Sequence, residues 1–342
     1  MIIAERVFYF IFLIAEYFKL NTLELVNKTV IVDLLNGIFL MSLNSFDIVL
    51  LTQKEYVNPE AINEYIQNVL TEDELLTRAL EEKGLRVART HWDDETFDWE
   101  NTPFALFRAT WDYFNRFAEF HRWLNKRSQQ IQLINSHATI LWSMDKHYLR
   151  DLQMQGINIP PTLFIEKNCR TSLTKLMNQV SWKRAILKPA ISGAARHTYL
   201  VEASSLEDQE AIFQELIGSE AMLLQEYQEQ ITTKGEVSFM VFDGQFSHAV
   251  LKKAKAGDFR VQDDFGGTLH PYSASQEEKD FVEQVIAHCK ELPVYARVDV
   301  MWDNQDRLCL SELELIEPEL WFRKEEKAAA ALANAVHRRC CR

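Results

Sequence analysis

The chain has 342 residues, 47% of them hydrophobic and 25% charged, which is ordinary for a globular protein and enough for two or three domains. Its 50 acidic residues outnumber 37 basic ones, for a formal net charge of -13, so a broad nucleic-acid footprint is excluded and no nucleic-acid partner is expected. Five cysteines (Cys169, Cys289, Cys309, Cys340, Cys341) show no CxxC spacing, which in a chain of this size fits a reduced, cytoplasmic setting better than a disulfide framework.

The first forty residues are anomalous. An apolar run over 7–15, VFYFIFLIA, is followed by Glu16 and Lys19. It is too short to span a membrane, so stable membrane insertion is not expected. It resembles the apolar region of a signal peptide but lacks a convincing small-residue cleavage site. Met41 opens MSLNSFDIVLLT, a typical domain start. Residues 1–45 are therefore set apart as a leader, either an upstream extension or an accessory helix.

From residue 46, strand and helix patterns alternate. FDIVLL (46–51) reads as a buried strand. Residues 72–83 read as a helix, with TEDE as its N-cap and acidic first turn and Gly84 as its stop. Strands follow over 85–88 and 104–110, then a helix over 117–126 and a strand over 131–135. This alternation predicts a parallel sheet with helices on its faces, an α/β domain over 46–137. A second unit, 138–222, holds a helix over 144–155 ending at Gly156, the extended INIPPTLFI, a helix over 172–179, the strand RAILKP (184–189), the strand TYLV (198–201) and a helix over 206–217. A third unit, 223–338, begins with the strand AMLLQEY. It continues through a hairpin closed at Asp243-Gly244, a helix over 281–289, an acidic hairpin and a closing helix over 328–336.

The acidic hairpin is the most informative stretch. Side chains alternate along a strand, so ARVDVMW puts Arg297, Asp299 and Met301 on one face, and RLCLSELEL puts Glu312 and Glu314 on one face. If the strands pair, three carboxylates converge and repel, and a hard divalent cation such as Mg2+ suits their oxygens. The competing reading is an exposed, charged edge strand.

Other residues gain meaning beside it. Lys188 ends a strand before the small-residue loop PAISGAARHT, whose backbone N–H groups can approach an anion. No GxxxxGK[ST] occurs, and a surface lysine before a turn is the bland alternative. Lys146 lies in SMDKHYLRDL near a helix start. Gln225, Glu226 and Tyr227 end a strand and enter a connection. Lys252 and Arg260 flank the segment KKAKAGDFRVQDDFGGT. Arg297 shares a face with Asp299 and suits polyphosphate oxygens. Arg108 and Thr110 follow an apolar strand, at the end where α/β sheets place ligands. Arg108 suits a substrate carboxylate, with Trp111 and Tyr113 as walls; a structural arginine among core aromatics is the alternative.

Taken in this order, the residues resemble the ATP-grasp superfamily, in the branch related to glutathione synthetase and ribosomal-protein glutamate ligases. The motifs SMDKHYL, LKPAISGAARHT, FRVQDDFGGT and LELIEPEL, with Thr52, Tyr56, the HWDD run, Trp99 and FRATWDY, are similar to a group that includes the cycloserine-biosynthesis ligase. The resemblance spans about 45–335. It implies an α/β ATP-grasp fold with an α+β lid over 138–222, a catalytic subdomain over 223–338 and a Rossmann-like pre-ATP-grasp domain over 46–137. It implies ATP and two Mg2+ ions, with Mn2+ as a substitute. Lys146 and Lys188 then grip phosphates, with the loop at Ser192 and Gly193. Gln225, Glu226, Tyr227 and Glu236 serve the nucleotide. Asp299, Glu312 and Glu314 carry the metal, Glu314 standing where Asn is more usual. Arg297, Arg260 and Lys252 stabilise the reacting groups, and Arg108, Thr110 and Asp112 form the substrate set. The loop holds only Gly193, fewer glycines than in many relatives. The implied activity is carboxylate–amine ligation through an acyl phosphate on small-molecule, amino-acid-like carboxylate and amine substrates. The alternatives are a ligase modifying a peptide or protein, and a non-catalytic nucleotide-binding regulator. A homo-oligomer is left open.

Overall fold

The computed structural model describes residues 45–262 and 265–341, so the leader reading, apart from its last residue, lies outside the described residues. The run Ile48–Thr52 (β1) is buried along its whole length, which makes it a central strand. Glu64–Glu81 (α1), Val87–His91 (β2), Phe104–Phe107 (β3), Phe117–Arg127 (α2) and Gln132–Ile134 (β4) follow. The strands form a parallel sheet in the order β2-β1-β3-β4, as the alternation predicts.

The helix expected over 72–83 begins eight residues earlier. Asn63 caps it by accepting from the Ile66 N–H at 2.8 Å. TEDE therefore sits mid-helix, and two of its acids, Glu72 and Asp73, are buried rather than capping. Glu72 accepts from the backbone N–H groups of Phe322 (2.9 Å) and Arg323 (3.0 Å), and Asp73 accepts from Arg89 Nε at 2.7 Å. Acids with distant partners imitate an acidic first turn in sequence.

The next unit contains His137–Ser143 (α3), Tyr148–Met154 (α4), Thr162–Ile165 (β5), Leu173–Gln179 (α5), Arg184–Pro189 (β6), Tyr199–Glu202 (β7), Leu206–Ile217 (α6) and Met222–Glu226 (β8). Its antiparallel sheet runs β5-β8-β6-β7. β8 therefore belongs inside this sheet, between β5 and β6, and the unit runs to 226 rather than ending at 222. The helix predicted over 144–155 starts only at Tyr148, after a break at residues 144–147 that separates it from α3. The Asp145 carboxylate accepts from the His147 N–H at 2.9 Å, and the Lys146 N–H donates to the Ala190 carbonyl at 2.8 Å. The break ties Lys146 to the end of β6.

The third sheet is built from Glu236–Phe242 (β9), Gln245–Lys253 (β10), Thr268–Tyr272 (β11), Tyr295–Trp302 (β12) and Leu308–Glu314 (β13), in the order β11-β10-β9-β12-β13. β11 is half-exposed and has no apolar alternation, so the sequence did not reveal it. Gln276–Ala287 (α7) starts five residues before its expected position, at a capping box between Ser275 and Glu278. Lys327–Cys340 (α8) packs on α1 across a shared apolar core. Among the described residues, no helix is long and apolar enough to cross a membrane.

One buried side chain ties the first sheet to the third. Asn135, just past β4, is 2% exposed. Its Nδ2 donates to the carbonyls of Tyr295 (2.9 Å) and Leu315 (2.8 Å), and its Oδ1 accepts from the Val294 N–H at 2.6 Å. Asn135→Ala orphans these buried backbone groups and is expected to destabilise the protein by about 3 kcal/mol. Guanidinium unfolding checks this; a loss below about 1 kcal/mol would show that water replaces the amide.

Candidate active site

The acidic hairpin pairs in the register that converges its charges. Arg297 lies opposite Glu314 and Asp299 opposite Glu312, with a bulge just beyond Asp299. On its other side Asp299 faces Ser238 of β9. Carboxylate oxygens of Asp299, Glu312 and Glu314 all lie within 4.8 Å of one another. β13 is the edge of its sheet, but it is not a bare edge. The Leu310 N–H donates to the Asn158 carbonyl at 2.8 Å, and the Leu313 N–H donates to the Tyr148 hydroxyl at 2.9 Å.

Cations hold this cluster together. Arg297 donates to Asp299 through Nε and a terminal nitrogen at 3.0 and 2.9 Å and also pairs with Glu314. Lys252 Nζ lies 2.6 Å from Glu236 and 3.2 Å from Asp299, and the Ser238 hydroxyl donates to Asp299 at 2.5 Å. Lys146 Nζ lies 2.8 Å from Glu312 and donates to the Ser192 carbonyl at 2.6 Å.

The titration of the three acids follows from these partners. Burial pushes Asp299 up, but Arg297 and Lys252 outweigh it and hold the group at about 2. Burial likewise opposes ionisation of Glu312, and Lys146 and Lys188 bring it below the usual carboxylate range. Glu314 goes the other way. Burial, together with repulsion from Glu312 and Asp299, exceeds the pull of Arg297 and raises it to about 7. The crowding of the three carboxylates is therefore only partly offset at Glu314, and hard oxygens in this arrangement fit Mg2+.

A cleft of about 840 Å3, partly open to solvent, runs away from Glu312. Lys146, Lys188, Ser192 and Glu236 line its charged end. Lys188 has no ion-pair partner within 4 Å among the described residues. Burial lowers its pKa, which Glu312 counteracts. Ile186, Ile231 and Met301 give the other end apolar walls beside Gln225, Glu226 and Tyr227. The Gln225 side chain is turned into the fold, donating to Thr162 at 3.0 Å, so this segment offers the cleft chiefly its backbone and Tyr227. Gln228, Ser311 and Thr198 also line the cleft and were not singled out in the sequence. Period two on β13 places Ser311 off the Glu312 face; the bulge brings it in.

The loop after Lys188 is fixed at both ends. Arg196 forks onto Glu220 at 2.7 and 3.0 Å, and the Ser192 hydroxyl donates to the Arg196 carbonyl at 2.9 Å. Ala194, Ala195 and His197 take left-handed backbone angles, φ 48, 53 and 50, at about 1 kcal/mol each. Gly193 is needed for space, since a Cβ there would lie 2.6 Å from the Phe114 ring.

Several expected site residues are buried or already engaged by other groups. Arg108 is 4% exposed and already paired, lying 3.3 Å from Asp73 and 3.8 Å from Glu72, so it is not a free clamp for a substrate carboxylate. Asp112 is likewise committed, accepting from Trp92 Nε1 at 2.8 Å and Arg116 at 2.9 Å. Thr110 is buried. Lys252 sits beneath the carboxylates and does not line the cleft. Arg260 does line it, but bonds Asp258 at 2.7 Å and stacks 3.8 Å from the Phe265 ring centroid.

Comparison with known proteins agrees with this geometry. The N-terminal domain of D-cycloserine synthetase DcsG matches residues 48–135. The cycloserine biosynthesis protein DcsG of Streptomyces lavendulae is 26% identical over 282 residues, covering 77% of this chain and 92% of that protein. The crystal structure of D-cycloserine synthetase DcsG superposes with a TM-score of 0.75 at 24% identity, over 86% of this chain and 99% of that one. The ATP-grasp ligase PsnB, complexed with a minimal precursor, Mg and ADP, shares the fold at a TM-score of 0.57 and 15% identity, over 86% and 99% of the two chains. The D-alanine–D-alanine ligase of Bacillus anthracis complexed with ATP does so at 0.59 and 15%, over 86% and 97%. The RimK-like ATP-grasp domain matches residues 145–319, about half the chain and the stretch that carries Lys146, Lys188, residues 225–227 and the carboxylate cluster. The chain belongs to this ATP-grasp family and is an ATP- and Mg2+-dependent ligase that forms C–N bonds.

Proposed function

We propose that the enzyme joins a carboxylate to an amine through an acyl phosphate and that its substrate is small and amino-acid-like. The observation that carries the size argument is enclosure. On the N-terminal side of the carboxylate cluster stand Tyr113, 5% exposed, and Glu317, 8% exposed, with the Trp111 indole bonded to the Glu317 carbonyl at 2.9 Å. A buried wall there suits a small molecule better than an extended peptide. Two of the similar proteins, D-cycloserine synthetase and D-alanine–D-alanine ligase, carry names of small amino-acid products. Unpaired cysteines throughout suit a reducing cytoplasm.

The chemistry balances in two steps. A substrate carboxylate oxygen attacks the γ-phosphorus of ATP, and the bond from that phosphorus to the ADP oxygen breaks. An amine then attacks the acyl carbon, inorganic phosphate leaves, and the amine loses a proton. Positioning and charge neutralisation do most of the work, so no protein nucleophile is needed. Lys146 and Lys188 offset phosphate charge at the mouth of the cleft, and Arg297 fixes Asp299 and Glu314. Asp299, Glu312 and Glu314 would hold Mg2+, two ions in our reading. When bound, Mg2+ neutralises phosphate oxygens.

ADP release with Mg2+-ATP and a panel of amino acids, with hydroxylamine trapping the acyl phosphate as a hydroxamate, tests the reading. Release only with a peptide acceptor would replace the small substrate. Glu312→Gln should lower Mg2+-dependent turnover on the order of 100-fold with near-UV circular dichroism retained; unchanged turnover would remove Glu312 from the site. The raised Glu314 adds a pH dependence. Below about pH 7 its protonated form predominates without metal, so Mg2+ binding must displace a proton there. Mg2+ affinity should therefore fall from pH 8 to pH 6, by up to about tenfold per unit below pH 7. Calorimetric Mg2+ titrations across that range read it, and a flat profile would remove Glu314 from the ligands.

A further inference from the structure

Two buried polar groups on facing segments are incompletely paired. Glu317 is 8% exposed, and among the described residues no cation lies within ion-pair distance of its carboxylate; only its own backbone N–H bonds it. The Thr110 hydroxyl is fully buried and makes no hydrogen bond. Buried polar atoms without partners are costly, so both require an explanation.

The two belong to facing segments. Arg108 donates to the Pro318 carbonyl at 3.4 Å and the Trp111 indole to the Glu317 carbonyl at 2.9 Å, so bonds on either side of Thr110 join its segment to the one carrying Glu317. Tyr113, from the Thr110 segment, feels Glu317 most strongly among charged groups, then Glu314 and Glu312. Glu317 in turn feels Glu314, Lys146 and Glu312. Burial first, and then Glu314, hold its carboxyl well above the usual range. Glu317 and Tyr113 thus lie near the metal ligands, and a cation beside Glu317 would favour its ionised form. That cation is not another metal ion. Glu317 falls outside the group of acids whose oxygens lie within one ion's reach. An ammonium, with three donors, fits one carboxylate and adjacent hydroxyls.

We propose that Glu317, flanked by Tyr113 and Thr110, binds the ammonium of an amino-acid substrate whose carboxylate lies toward Asp299, Glu312 and Glu314. The proposal rests on the ligase reading for the role of that carboxylate. It restricts the substrate class to amino acids with a free ammonium close to the activated carboxylate, and it excludes N-acylated and α-hydroxy analogues.

The test combines binding and turnover on the full chain. The L-amino acids, D-alanine and D-serine, with the N-acetyl and α-hydroxy analogues of each, are titrated calorimetrically into protein carrying Mg2+ and a non-hydrolysable ATP analogue. ADP release is followed with the same acids and ATP. An amino acid should bind and its analogues should not. Glu317→Gln should raise the Kd and KM for that amino acid at least tenfold, changing kcat and the KM for ATP less than twofold. Thr110→Val, which preserves shape, is the second variant and should raise the same KM about threefold. Equal use of the N-acetyl or hydroxy analogues, an unchanged amino-acid KM in both variants, or no amino-acid binding at all would overturn the subsite. Amino-acid binding that depends on Glu317 without ADP release from any acid would support the subsite and refute the ligase reading.

Discussion

Three carboxylates held within one ion's reach repel one another, and the surrounding structure is arranged to oppose that repulsion. Arg297 reaches Asp299 from the same strand and Glu314 from the next. Lys252 comes from β10, two strands away, and is itself steadied by Glu236. Lys146 arrives from the break between α3 and α4 and holds Glu312. Each cation comes from a different element, so the site forms only when all of them are in place. Removing one partner would leave a buried charge uncompensated, which is far costlier than losing a surface pair. The compensation is also incomplete by design: Glu314 remains raised, and Lys188 stays without an ion-pair partner within 4 Å among the described residues. In the proposed function those are the positions at which a metal and a polyphosphate would add charge of the needed sign.

The hairpin was legible because period two and strand pairing are local properties. Arg297, Asp299, Glu312 and Glu314 could be placed on facing sides from the letters alone, and the register confirms their meeting. The parallel first sheet was readable for the same reason. Long-range pairing was not. TEDE looks like a helix start because its acids find their partners at Arg89 and at residues 322–323, which no local pattern announces. Arg108 stands at a strand end, as a substrate clamp would, but its partners Asp73 and Glu72 come from a helix more than 30 residues earlier. β8 ends one run of sequence and enters the middle of a sheet built before it. Glu317 lay in plain view within LELIEPEL. Its significance is an absent partner, which only three-dimensional structure can show.

The loop after Lys188 illustrates how a cleft can be shaped without many glycines. Its left-handed positions are occupied by Ala194, Ala195 and His197, and the Arg196–Glu220 fork and the Ser192–Arg196 bond hold them there. Gly193 serves a different purpose, letting the loop pass against Phe114 of the N-terminal domain. The loop that borders the cleft therefore also touches the domain that carries Thr110 and Tyr113.

Asn135 has a consequence for how such enzymes can be recombined. One amide side chain serves backbone groups of Val294, Tyr295 and Leu315, each more than 150 residues away along the chain. The N-terminal domain is consequently not an interchangeable cartridge. A transplant onto another catalytic half must bring an asparagine to the same depth and meet the same two strands, or leave three backbone groups stranded at the seam. New specificity is more accessible through point changes along the Thr110–Tyr113 wall than through shuffling whole domains.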